Sequence, residues 1–418
     1  EFRDMVINVG LRYDRLDPNS TYPDPTRELG YEYMDDSGIA HIIEPSELSQ
    51  LTEQENETLE WGYMERDSEG NLTSFTSAPK APVKDQWSPR LGIGYPITDR
   101  TAFHFSYGQF YQFPDLINMY NYSNYQGHNG RPPGWSDEAN SMAQDFLYGN
   151  PYYPFPYNIT DWYIPEVGTP NVNPQRSTQY ETGLRTRIGN QYLLTINLYY
   201  KDMFDYIASK RYDADPSQYA IYENMDYANS RGLEMSFQKL YSAGLDWEIN
   251  YTLSRAEGNA PTSDYHWYVA EWANGYDWQD FNHTYTMPWD QTHNINFRLN
   301  YIAPSGLGLS MIGSYGSGFP YTPEDARARP IDKQYSGRMP STSNVDLKIY
   351  YDLKMKNLNI RLFGDISNAM NRANVLAVDN TTGEPDATLD SGQPAIYVWK
   401  PYYFSPPRHI EIGISVAY

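Results

Sequence analysis

Leu245-Asp246-Trp247-Glu248-Ile249-Asn250-Tyr251-Thr252-Leu253 is two interleaved lists. The odd positions are aliphatic or aromatic, and the even positions are acidic, amide or hydroxyl. Successive side chains of a strand point to opposite faces, so this stretch predicts a strand with one apolar and one polar face.

The same alternation recurs along the chain, in residues 5–14, 90–95, 103–108, 179–188, 192–201, 232–238, 294–301, 307–311, 345–351, 358–362 and 410–418. With 245–253 that makes about twelve strands of a barrel-like length. Helical periodicity is nearly absent. The connections alternate as well. Five are short, around Thr98–Arg100, Gly189–Gln191, Leu240–Gly244, Ala303–Gly306 and Asp352–Asn357. Six are long, at 15–86, 112–176, 202–228, 255–290, 317–342 and 368–407. One end of the sheet is trimmed and the other is elaborated, since ordinary hairpins need only about 2–5 loop residues.

Composition narrows the function classes. Lys plus Arg is 31 against 53 Asp plus Glu, a net charge of −22. Nucleic acid is thereby disfavoured as a partner, because phosphate binding rests on a basic excess. There is no cysteine, hence no disulfide framework and no thiol chemistry. No stretch approaches the roughly 20 apolar residues of a membrane helix. Glu1 opens the chain without a charged-then-apolar leader, the expectation for a mature chain or a piece of a longer one. Tyrosine numbers 41. Six of these close the apolar faces: Tyr95, Tyr107, Tyr192, Tyr200, Tyr251 and Tyr301.

A soluble β-sandwich also alternates, but its inner face holds compact aliphatics. Aromatic ends on the apolar face and charges with amides on the other fit an antiparallel transmembrane β-barrel. There the apolar band meets outer-membrane lipid, the interior is polar, the turns are periplasmic and the long loops extracellular. The all-β transmembrane barrel over residues 1–418 is therefore the expected fold, with the C-terminus in the periplasm.

Several stretches carry a family resemblance. They are Asn8-Val-Gly-Leu-Arg-Tyr-Asp14, Ser88-Pro-Arg-Leu-Gly-Ile-Gly-Tyr95, Arg231-Gly-Leu-Glu234, Asp290-Gln-Thr-His293, Gly318-Phe-Pro-Tyr-Thr-Pro323, Asn368-Ala-Met-Asn-Arg372, and the closing strand from Pro407-Arg408 to Tyr418. In this order and spacing the chain resembles the C-terminal part of a TonB-dependent outer-membrane receptor. Phe105-Ser-Tyr-Gly-Gln-Phe-Tyr-Gln-Phe-Pro114 is similar to its Oar-like and SusC-like branches. The resemblance implies nutrient uptake across the outer membrane of a Gram-negative bacterium, powered through the TonB complex. It also implies a plug domain, and a barrel of about 22 strands. Set against that family, the stretch from Glu1 to Tyr418 is expected to hold only the last half of such a barrel, with the plug and the N-terminal strands outside it. A surface lipoprotein partner follows from the SusC-like branch. The alternative is a self-contained porin or adhesin barrel.

Catalytic patterns are missing from the sequence: no His-Glu-x-x-His, no Gly-x-Ser-x-Gly, no phosphate loop. An enzyme is not expected. Asp264, His266, Asp277, Asp280 and His283, or Asp379–Glu384, could gather round a cation, but solvated loop carboxylates are the simpler reading. No cofactor is expected, with loop-bound Ca2+ the one left open. The first long connection has sixteen acidic and five basic residues, a charge of −11.

Two sets of residues are the candidate sites. Trp135, Tyr152, Tyr153 and Trp162 in the second long loop, with Trp267, Trp272 and Trp278 in the fourth, form the densest aromatic clusters. Rings of this kind give large contact area and stack on sugars or apolar ligand parts, so the ligand site is expected there. Acidity argues against an anionic iron chelate, and the aromatics favour a glycan or a peptide. Glu181, Arg185, Arg187, Glu234, Arg298, Asp346 and Arg361 fall on the polar faces. The resemblance implies that they line the lumen and face the plug.

Overall fold

The computed structural model describes residues 4–22, 27–44, 47, 51–52, 54–55, 58–120, 166–212, 219–260, 284–325, 334–355, 358–386 and 400–417. Twelve strands follow one another in a single antiparallel meander. They are β1 (Val6–Leu16), β2 (Lys84–Thr98), β3 (Thr101–Gln112), β4 (Gln175–Ile188), β5 (Tyr192–Tyr212), β6 (Tyr219–Ser242), β7 (Leu245–Gly258), β8 (His293–Ile302), β9 (Leu307–Gly316), β10 (Thr342–Met355), β11 (Leu358–Ser367) and β12 (His409–Ala417). Each lies on one of the twelve alternating segments of the sequence.

Pairing register keeps the two faces distinct across the whole sheet. Ile249 lies opposite Phe237 on one side and Phe297 on the other, and Met311 lies between Leu299 and Leu347. The polar partners match in the same way: Asn250 opposes Ser236 and Asn296. The apolar face is left uncovered, with Val9 80% and Ile412 86% exposed. At the end bearing the short turns, Tyr192, Phe237 and Trp247 cluster, with Phe237 and Trp247 ring centroids 5.1 Å apart. Lys239 lies on the apolar face between Tyr192 and Trp247 and folds its ammonium back onto the turn, 2.7 Å from the Leu245 carbonyl. This is how a long cationic chain leaves an apolar surface.

Large rings are accommodated by glycine on the neighbouring strand. Tyr199 lies over Gly232 and Phe297 over Gly313, so a Cβ at either glycine would meet the ring. Strand extends into two of the expected long connections. Residues 202–212 and 219–228 continue the β5–β6 ladder, paired out to Tyr212 and Tyr219 across a register shift between Met203 and Ile207. β5 has 21 residues where about 9–11 span a bilayer, so its outer half projects beyond the membrane band. The connection 15–86 carries its own four-stranded sheet of Glu28–Met34, Ala40–Ile43, Glu60–Arg66 and Leu72–Ser77.

Candidate functional site

The buried residues gather at the long-loop end, outside the membrane band. Met119 on the short helix Leu116–Tyr120 packs with Val172, Ile207 and Tyr222. Burial there pulls the Lys84 ammonium below its usual range, and its Nζ donates to the Asn171 carbonyl at 2.8 Å. Asn224 donates to the Asn173 carbonyl at 2.9 Å and accepts from its backbone N–H at 2.7 Å. The 169–174 segment is thus tied both to β2 and to the projecting hairpin.

Two further clasps hold the loops. Asp290 is buried, and its carboxylate accepts from Arg338 at 2.6 Å and from the Ala256 N–H at 2.7 Å. Arg338 also donates to the Asp290 and Gly318 carbonyls. Gly318 permits this approach, since a Cβ there would collide with the Met339 carbonyl oxygen. The second clasp is Asn368, which takes a left-handed φ of 50° and donates to the Arg372 and Pro406 carbonyls at 2.9 and 3.0 Å. Arg372 in turn donates to Ser343 Oγ and the Ser341 carbonyl, both at 2.7 Å. Sequence reasoning quoted these stretches but missed their roles, because the partners sit in other loops.

The polar face is a graded wall. Arg298 reaches Asp246 at 2.9 Å and Glu248 at 3.7 Å, and Asn300 shares the same Asp246 oxygen. Arg361 grips Asp352 through two bonds of 2.7 and 2.8 Å while lying over the Tyr350 ring. Lys348 pairs with Asp365 at 3.0 Å, and Glu181 stands 3.5 Å from His104. Asp346 accepts from the Asn368 N–H at 2.8 Å, so it anchors a loop rather than a cation. Arg185, Arg187 and Glu234 have the same facing by register, and none has an ion-pair partner among the described residues.

The sequence matches the family model of TonB dependent receptor-like β-barrels over residues 4–369. The chain belongs to the TonB-dependent receptor family. It is an outer-membrane β-barrel of a receptor and transporter family, not of an enzyme family. No curated protein matches the sequence. Similar solved structures include the ferric-catecholate import receptor Fiu of E. coli K12, at 12% identity over 86% of this chain and 40% of that one, TM-score 0.46. The FrpB iron transporter of Neisseria meningitidis is similar at 12% identity over 89% and 40%, TM-score 0.46. A mutant of the ferric enterobactin receptor PfeA of Pseudomonas aeruginosa is similar at 15% identity over 79% and 40%, TM-score 0.47. The chain spans about 40% of the length of these structures.

In this TonB-dependent receptor barrel the aromatic loop candidates Trp135, Tyr152, Tyr153, Trp162, Trp267, Trp272 and Trp278 lie outside the described residues. So do Asp264, His266, Asp277, Asp280 and His283. Among the described residues no three metal-ligating side chains gather. The Asp379 carboxylate is engaged in its own turn. Burial acts to raise it, but Thr381 at 2.6 Å and Lys400 at 3.3 Å prevail and hold it below the usual carboxylate range.

Proposed function

We propose that this barrel is the C-terminal part of a receptor that captures a nutrient at the cell surface and passes it into the periplasm, driven through TonB. The observation that carries the reading is the uneven satisfaction of the polar face. Arg298, Lys348 and Arg361 are paired, whereas Arg185, Arg187 and Glu234 have no ion-pair partner among the described residues. A water-lined pore would tolerate either state, since exposed pairs are worth only about 0–1 kcal/mol. Open charges on one stretch of wall are suited to a plug domain that brings its own partners.

A specific feature weighs against the self-contained porin or adhesin. Among the described residues β1 and β12 do not pair with each other. An unpaired strand edge in hydrocarbon leaves backbone groups unsatisfied at several kcal/mol each, so further strands would complete the barrel. The nutrient we favour is a glycan or a peptide, held by the aromatic loops, with a surface lipoprotein as a partner over them.

The test is uptake by cells expressing the full receptor, with and without a functional TonB complex. The proposal expects glycan or peptide uptake to depend on both the receptor and TonB. Uptake that needs the receptor and persists without TonB would support the porin.

A further inference from the structure

The membrane face carries two neighbouring arginines. One cross-strand row runs Val9, Leu91, Tyr107, Tyr180, Tyr200, Arg231, Arg255. Barrel strands tilt by about 35–45°, so such a row climbs from the hydrocarbon towards the outer boundary. Its side chains change in the matching order: aliphatic, phenol, guanidinium. One step towards the periplasm the same strands still present Leu198, Leu233 and Leu253. One step outward they present Asp202, Asn229 and Glu257. Arg231 and Arg255 therefore stand at the level where apolar surface gives way to water.

Two like charges directly opposite each other on adjacent strands repel. Glu257 holds them together, at 2.8 Å from Arg231 and 2.5 Å from Arg255, and Asn229 accepts from Arg231 at 2.9 Å. Glu257 and Asn229 take only a few of their N–H donors, and most of the rest have no acceptor among the described residues. The nearby Asp202 carboxylate keeps its charge but commits one oxygen to the Tyr200 and Tyr227 hydroxyls, at 2.9 and 2.7 Å. The cluster is therefore balanced in charge and offers an anion unused guanidinium donors rather than an excess of cations. The other outward bases are differently placed. Lys239 serves its turn, Arg15 lies 3.9 Å from Asp85, and Arg176 lies over the Phe204 ring. Arg231 and Arg255 also border a depression of about 540 Å³ whose lining includes Thr182, Leu198, Leu233 and Leu253, with Glu181 and Tyr199 between them in the strands.

We propose that Arg231 and Arg255 bind the phosphate of an anionic lipid in the outer leaflet, with one of its acyl chains lying in this depression. Guanidinium forks match phosphate oxygens with charge-assisted bonds, and they keep their strength where water is scarce. The depression supplies an apolar groove next to the cation pair, the order in which a lipid presents headgroup and chain. This surface is on the opposite face of the sheet from the polar wall, so it serves the barrel's seat in the membrane rather than its cargo.

The experiment uses the full receptor purified in a non-ionic detergent, with native mass spectrometry of lipid retention. Diphosphoryl lipid A and its dephosphorylated form are the probes. The wild type is expected to retain the phosphorylated lipid, and the Arg231→Gln/Arg255→Gln variant about tenfold less. The wild type should hold the dephosphorylated form no better than that variant does. Leu198→Trp keeps both arginines and fills the depression, and it too should lower retention. Equal retention by wild type and a folded double variant overturns the proposal, as does equal retention of the two lipids. If the double variant does not fold, undiminished binding to Leu198→Trp overturns it and a loss there supports it.

Discussion

The carboxylate of Asp290 and the guanidinium of Arg338 meet at 2.6 Å, with the Asp290 side chain only 1% exposed. They lie 48 positions apart in sequence, so the pair joins the end of one long connection to the last few residues of the next. Replacing Asp290 removes the acceptor of both Arg338 and the Ala256 N–H, a loss of about 1–3 kcal/mol, while the remaining Arg338 guanidinium is 38% exposed and can turn to water. Asp290→Ala should therefore expose the segments around Gly318 and Arg338 to protease while the membrane strands stay intact. Limited proteolysis of the folded barrel, with cleavage sites mapped, reads this directly. An unchanged digest would mean that the Arg338 bonds to backbone suffice.

Asn368 separates two contributions at one residue. Its left-handed backbone would cost any ordinary side chain roughly 1–2 kcal/mol. Its side chain also closes the last connection by bonding the Arg372 and Pro406 carbonyls. Asn368→Gly loses the bonds alone, and Asn368→Ala loses the bonds and meets the strain. Thermal unfolding should rank wild type above Gly and Gly above Ala. Equal effects of the two substitutions would place the whole contribution in the side-chain bonds.

Asp35 and Asp67 close two turns of the first connection in the same way. Asp35 accepts from the Ser37 and Ile39 N–H groups at 2.8 and 2.9 Å, and Asp67 from those of Glu69 and Asn71, both at 2.9 Å. The Ile39 bond, with His41 behind it, holds the Asp35 carboxyl below the usual carboxylate range, and the Asn71 bonds do so for Asp67. A folded value below the unfolded one means that the contribution is complete above about pH 4 and is lost as the pH falls through the folded value. Amide protection factors at Ile39 and Asn71 should fall in that acid window. In an Asp35→Asn/Asp67→Asn variant they should be flat. A flat profile in the wild type would remove the carboxylates from the account.

The strand register makes a prediction in the membrane itself. Ile412 opposes Gly364 on the apolar face, and Ser415 opposes Arg361 on the polar one. Ile412→Cys should react slowly with a charged thiol reagent in intact membranes, and Ser415→Cys quickly. Equal rates would break the assignment of faces.

These cases mark what the sequence could and could not convey. Period two needs only neighbours, so Leu245–Leu253 and its eleven counterparts announce themselves, and pairing in chain order follows from the short turns. The outer half of the β5–β6 hairpin was hidden. A positive φ of 61° at Asp205 and the register shift beside it break the alternation, and Ile207, Ala208 and Ser209 are all buried there, so parity no longer separates faces. Asp290, Asn368 and Arg372 were visible as residues but not as clasps, because their partners are set by how loops meet. The polar-wall residues were legible by parity alone. Which of them pair was not, since that depends on cross-strand neighbours: Arg298 has Asp246 within reach, and Arg185 lies opposite Thr195.

The nutrient site is the remaining step, and the sequence stakes it on Trp162 and Trp272. A stacked tryptophan at a binding hot spot contributes on the order of 1–3 kcal/mol, or about 5- to 150-fold in affinity. A tryptophan that only packs loop against loop would behave otherwise, giving protease-sensitive loops with affinity reduced in proportion to the folded fraction. Trp162→Ala and Trp272→Ala in the full receptor distinguish the two when binding of a glycan or peptide panel is measured beside loop proteolysis. The expected result is a loss of affinity in that range with the loops resistant. If affinity holds in both variants with the loops intact, the site moves to the polar wall. There Arg185 and Arg187 are the groups with charge to offer, and a charge reversal at either should then weaken binding where the tryptophan changes did not.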